Sequence, residues 1–102
     1  MTLFEKIIAR EIPANIEYET DDIIVIHDIN PKAKLHLLII PKKPIKTVQD
    51  MGENDVLLMG KLFETAKILG EKLNLEGYKL QVNVGEKGGQ EVFHIHMHML
   101  AN

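Results

Sequence analysis

The chain has 102 residues, 45% of them hydrophobic and 26% charged, which allows one folded domain with a modest core and excludes a disordered chain. The net charge of -3 argues against a nucleic-acid partner held through a basic face. There is no cysteine, so disulfides and thiolate metal sites are excluded. The opening MTLFEKIIAR has no signal-type hydrophobic region, and no apolar run approaches the length of a membrane span. A cytoplasmic protein without a membrane partner is the expectation.

Leu3, Phe4, Ile7 and Ile8 recur at helical spacing, which predicts a short amphipathic helix over 3–10, closed by Pro13. IEYE (16–19) and IIVIHD (23–28) flank Thr20-Asp21-Asp22 and read as a hairpin. LHLLII (35–40) is a strand ended by Pro41. From about Glu53 to Asn74 the pattern is helical, with Val56, Met59, Leu62, Phe63, Ala66, Leu69 and Leu73 in one stripe. Leu57, Leu58 and Ile68 widen that apolar face beyond what one sheet needs, and the surplus suits a neighbouring subunit. Gly77 is expected to close the helical region. YKLQVNV (78–84) alternates Tyr78, Leu80, Val82 and Val84 with Lys79, Gln81 and Asn83. GEKGGQ (85–90) is a glycine-rich connection into a last strand, VFHIHMHM (92–99). The order predicts an α+β domain spanning 1–102, with a mainly antiparallel sheet of about five strands, one long helix, a short N-terminal helix and one helix-covered face.

Strand alternation sends Phe93, Ile95, Met97 and Met99 toward the long helix and His94, His96 and His98 to the opposite face. Asn83 and His36 are expected on that same face. A metal site is weighed first. Neighbouring imidazoles on a strand lie about 6.6 Å apart at Cα and can share an ion, but the outer two lie about 13 Å apart, too far for one tetrahedral metal. Solvent-facing strand histidines are the bland alternative, disfavoured by three in strict register. Catalysis fits better. Imidazole titrates near neutrality and serves as nucleophile, acid or base. Glycines of GEKGGQ would let backbone N–H groups approach phosphate oxygens.

The spacing His94-Ile95-His96-Met97-His98-Met99 resembles the signature of the histidine triad (HIT) family. FEKIIAREIP (4–13), HDINPKAKLHLLIIPKK (27–43) and GYKLQVNVGEKGGQEVFHIHMHML (77–100) resemble its Hint branch, the purine nucleoside phosphoramidases. That resemblance implies a HIT-like fold, a homodimer and no cofactor. It implies hydrolysis of nucleoside 5′-phosphoramidates, such as adenosine phosphoramidate or nucleotidylated lysine, to a purine nucleoside monophosphate. His96 is expected to attack the α-phosphorus, His98 to contact the phosphate and assist the leaving group, and His94 and His36 to orient them. Asn83, Gly89, Gln90 and Glu91 match positions that cradle the phosphate and leaving group, and Asp28 the residue that binds the ribose hydroxyls. Phe4, Ile7, Ile26, His27 and Ile29 match the purine pocket. On the residues alone, Asp28 could equally cap a turn, Phe4 and Ile7 could be helix core, and His27 a partly buried strand residue. A dinucleoside polyphosphate hydrolase of another branch and a nucleotide-binding interaction module are the alternatives. Thr2 and Glu5 stand where some members carry zinc-binding cysteines, so no metal is expected. Glu91 stands where some relatives carry a serine, and the sequence ends at Asn102 where the branch usually continues; both are expected to alter selectivity.

Overall fold

A computed structural model describes residues 1–102. Five strands form one antiparallel sheet: β1 (Ile16–Glu19), β2 (Ile23–His27), β3 (Leu35–Pro41), β4 (Lys79–Gln81) and β5 (Met97–Ala101), in the order β1-β2-β3-β5-β4. The helices are α1 (Leu3–Ile8) and α2 (Val56–Lys72). No helix is long and apolar enough to cross a membrane.

β2 and β3 are buried on both sides, and their alternation divides the core. Ile23, Val25, Leu37, Ile39, Met97 and Met99 face α2, where they meet Leu62, Ala66 and Leu69. Ile24, Ile26, Leu38 and Ile40 face the other way and meet Phe4 and Ile7 of α1. Both faces are therefore covered, not one as expected, and α1 lies on the face that carries the histidines. Burying such aliphatic side chains contributes roughly 1.5–3 kcal/mol each, an upper estimate against an extended unfolded chain.

Local chemistry sets the helix ends. Thr2 caps α1: its Oγ1 accepts from the Glu5 N–H at 3.3 Å, while its own N–H donates to Glu5 Oε1 at 3.1 Å. Arg10 is left-handed at φ 64°, so α1 stops short of the expected residue 10. Asn74, at φ 53°, closes α2 in place of Gly77: Asn74 N–H donates to the Glu71 carbonyl and Leu75 N–H to the Gly70 carbonyl. Residues 53–55 form a single 3-10 turn ahead of α2.

Three expectations change in the sheet. β4 spans only 79–81, because the chain bends away toward the turn at Gly85, φ 75°. Tyr78 and Val84 are partly exposed, and only Leu80 and Val82 of that run pack on the core. β5 begins at Met97, five residues later than expected, because Ile95 donates its N–H to the Ile45 carbonyl rather than to a neighbouring strand. Phe93 turns outward as a result. Val56 and Phe63 of the expected core stripe also face solvent, Phe63 at 61% exposure. Leu69 is fully buried between α2 and the sheet, so Leu69→Ala should cost about 2–5 kcal/mol. Urea denaturation measures this as a lowered midpoint at constant slope.

Candidate active site

His36, on β3, and His98, on β5, emerge on the face covered by α1, with His36 opposite Leu100 and His98 opposite Leu38. They open into a cleft of about 760 Å³, a size that suits a small molecule. One wall is apolar: Leu3, Phe4 and Ile7 of α1, with Ile26, Ile29 and Leu38. The other is polar: Lys79, Gln81, Asn83, Gly89 and Glu91. His96 and His98 lie between the two walls.

Hydrogen bonds fix the proton on each imidazole. His96 Nδ1 lies 2.8 Å from the His94 carbonyl oxygen. A carbonyl only accepts, so Nδ1 carries the proton and Nε2 keeps a bare lone pair. The His96 ring stands edge-on to Phe4, with centroids 4.9 Å apart. His94 donates from Nε2 to the Pro41 carbonyl at 2.7 Å, and its ring is buried against Phe4 outside the cleft. Its Nδ1 is buried without a hydrogen-bond partner.

A second chain gives His98 the opposite tautomer. The Lys32 N–H donates to His36 Nδ1 at 3.1 Å, so the proton of His36 sits on Nε2. That Nε2–H donates to His98 Nδ1 at 2.9 Å, which leaves the His98 proton on Nε2. Asp28 Oδ2 lies 3.4 Å from the same His36 nitrogen. The cleft thus receives one imidazole with a free lone pair and one with an N–H to donate. Ligand atoms of Asp28, His36 and His98 lie within 4.8 Å of one another, a spacing a metal ion could use. The donor set does not fit one. A metal-bound imidazole donates its remaining N–H outward, whereas His36 Nδ1 meets a backbone donor.

Burial disfavours the charged imidazole. It lowers the pKa of His96, and it lowers that of His36 against the opposing pull of Asp28. Burial together with repulsion from His96 and His36 depresses His98 to about 4.

The remaining expected site residues divide into those the structure brings to the cleft and one that it does not. Asp28 caps the following turn, accepting from the Asn30 N–H at 2.8 Å, and also lines the cleft. Phe4, Ile7 and Ile26 are at once core and cleft wall. His27 lines the cleft with its Nε2 2.9 Å from Glu17 Oε1. Ile29 stands on the rim at 88% exposure, too open to be serving the core. Asn83 donates from Nδ2 to the Gly88 carbonyl at 2.8 Å and holds the glycine loop against β4. Gly89 is left-handed at φ 87°, and a Cβ there would meet Asn83 Nδ2 at 3.2 Å. Gln90 is the exception. Its Oε1 accepts from the Gly85 N–H, and its Nε2 donates to the Lys46 and Val92 carbonyls, so it fastens the loop from outside the cleft.

The N–H groups of Gly88 and Gly89 are bonded within the turn, to Gly85 and Glu86, contrary to the expectation that they face phosphate. The Glu91 N–H has no partner in the protein. Lys32, whose N–H donates to His36, and Lys79 and Gln81, which line the cleft, are not among the expected site residues. The alternation of Lys79 and Gln81 with Leu80 is the signal that puts them on the histidine face.

Residues 1–102 match the family model described as scavenger mRNA decapping enzyme C-term binding. The chain is 43% identical over 101 residues to the purine nucleoside phosphoramidase of Escherichia coli K12, covering 97% of this chain and 85% of that protein. A HIT family hydrolase from Legionella pneumophila superposes with a TM-score of 0.95 at 44% identity, covering 100% of this chain and 93% of that one. One from Clostridium thermocellum gives 0.94 at 41% identity, covering 99% and 90%. The chain belongs to the histidine triad family, and it is an enzyme.

The lowered His98 pKa sets a pH dependence. In the unfolded chain a histidine titrates near ~6.5, so on acidification the unfolded state takes up its proton first. Stability from His98 is full above about pH 6.5 and is lost as pH falls toward about 4. Between about pH 6.5 and 5 the carboxylates stay largely ionised. Urea midpoints should fall across that window in the parent and fall less in His98→Gln.

Proposed function

We propose that the protein is a nucleoside 5′-phosphoramidase acting through a nucleotidyl-histidine intermediate. The observation that carries this reading is the bare, cleft-facing Nε2 of His96 beside the protonated Nε2 of His98. The base lies against the apolar wall, beneath Ile29 at its rim. The Asp28 carboxylate accepts from the ribose hydroxyls, and Asn83 and the Glu91 N–H face the phosphate. The 43% identical Escherichia coli relative is a purine nucleoside phosphoramidase, which favours a purine base and a P–N bond.

His96 Nε2 attacks the α-phosphorus, an N–P bond forms, and the substrate P–N bond breaks with its electron pair on the leaving nitrogen. The bound phosphate anion raises the proton affinity of His98, which takes up a solvent proton on Nδ1, and the resulting imidazolium gives its Nε2 proton to the departing amine. While His98 is charged, the His36 Nε2–H turns to Asp28 Oδ2. Water then attacks phosphorus, its proton passes to His98 Nε2, the His96 N–P bond breaks with its electron pair returned to Nε2, and the monophosphate leaves as His98 gives its Nδ1 proton back to solvent, restoring both imidazoles to their neutral forms.

His96→Ala should lower kcat/KM on adenosine 5′-phosphoramidate by at least about a thousandfold, and mass spectrometry of quenched parent enzyme should find a nucleotidyl group on His96. Unchanged hydrolysis in His96→Ala excludes the covalent route. Faster turnover of a dinucleoside polyphosphate than of the phosphoramidate assigns the protein to another branch's activity.

We further propose that two copies associate. Val56, Leu57 and Phe63 of α2 stand exposed, and β4 is an edge strand of the sheet. Sedimentation equilibrium at micromolar concentration should return a dimer, and Phe63→Glu should weaken association by tenfold or more.

A further inference from the structure

Three hydrogen bonds from the segment that carries the histidines end on one short stretch of chain. His94 Nε2–H donates to the Pro41 carbonyl, the Ile95 N–H to the Ile45 carbonyl and the Gln90 amide to the Lys46 carbonyl, each at 2.7 Å. Residues 85–96 belong to no strand, so these bonds stand where a sheet ladder would.

The stretch from Pro41 to Lys46 is a stiff support. Its two prolines, Pro41 and Pro44, have a fixed φ and no N–H. Lys43 pairs with Asp55, the residue before α2, at 2.5 Å, and Ile45 is buried in the core on the α2 side. None of residues 41–46 lines the cleft.

The middle bond decides a tautomer. The Ile95 N–H and the His94 carbonyl belong to one peptide group, which is planar and trans, so they point in opposite directions. With its N–H on Ile45, that group aims its carbonyl at His96 Nδ1. Gln90 fastens the same segment from its other end. It is 4% exposed; its Nε2 also donates to the Val92 carbonyl, and its Oε1 accepts from the Gly85 N–H at 2.8 Å. One buried amide thus joins the glycine loop, the approach to the histidines and the support.

We propose that the Pro41–Lys46 stretch sets the tautomer of His96, and that Gln90 is the positioning residue that keeps the catalytic segment seated on it. Gln90 acts through the His94 peptide and touches no substrate. The effect on rate rests on the phosphoramidase reading; the effect on the tautomer does not.

Gln90→Met keeps the side chain's length and removes its three bonds. Nitrogen-15 NMR of the histidine-labelled variant at pH 7.5, without ligand, should show His96 divided between its two tautomers, where the parent shows one. On adenosine 5′-phosphoramidate, kcat should fall about ten- to a hundredfold with KM within about threefold of the parent. Pro44→Gly loosens the support at an exposed position outside the cleft, and it should move both readouts the same way by a smaller factor. A single, parent-like His96 tautomer in Gln90→Met overturns the proposal at any rate of turnover. So does a raised KM at unchanged kcat, which makes Gln90 a ligand contact. Should Gln90→Met not fold, Pro44→Gly decides: a parent-like spectrum there overturns the proposal. A parent that does not turn over the phosphoramidate sinks the functional reading and leaves the NMR result to decide this one.

Discussion

The hydrogen bond from His96 Nδ1–H to the His94 carbonyl is the constraint on which the site depends. It holds the imidazole in one tautomer with Nε2 bare and aimed into the cleft. In a regular ladder, a strand carbonyl points at the neighbouring strand rather than at a side chain two residues along its own chain. The late start of β5 makes the bond available. Residues 92–96 run outside the ladder, tied instead through the Ile95 N–H to the Ile45 carbonyl. The break in the strand thus belongs to the site. Phe4 stands edge-on to the His96 ring and limits its rotation, so α1 supplies a core residue, a cleft wall and a brace together.

His98 receives the opposite tautomer by a longer route. One backbone N–H, that of Lys32, fixes His36, and His36 fixes His98. Two imidazoles on one strand thereby present complementary chemistry, and burial favours the neutral form of both. The same relay explains why the histidine cluster does not read as a metal centre. Asp28, besides capping its turn, places Oδ2 3.4 Å from His36 Nε2.

Much of this was legible because strand alternation is a local rule. It placed His94, His96, His98, His36 and Asn83 away from α2 and sent Ile95, Met97 and Met99 into the core, as found. What it missed depends on contacts distant in sequence. The break before Met97 comes from Ile45, and the clamp on Gln90 from Lys46; neither leaves a trace in the periodicity of 92–99. The place of α1 over the histidines could not be read from its own six residues, which suit either face of the sheet. Val56 and Phe63 fit the helical stripe by spacing, yet the sheet covers only a narrower arc around Leu62, Ala66 and Leu69. Of the residues set apart as surplus, Leu57 and Ile68 are exposed, whereas Leu58 packs against the core.

The central claim is that His96 and His98 are neutral and of opposite tautomer before substrate arrives. Nitrogen-15 NMR of histidine-labelled protein at pH 7.5 reads this directly. The expected spectrum shows a protonated Nδ1 with bare Nε2 for His96, and the reverse for His98 and His36. A protonated Nε2 on His96, or an imidazolium at either residue in the free enzyme, would contradict it.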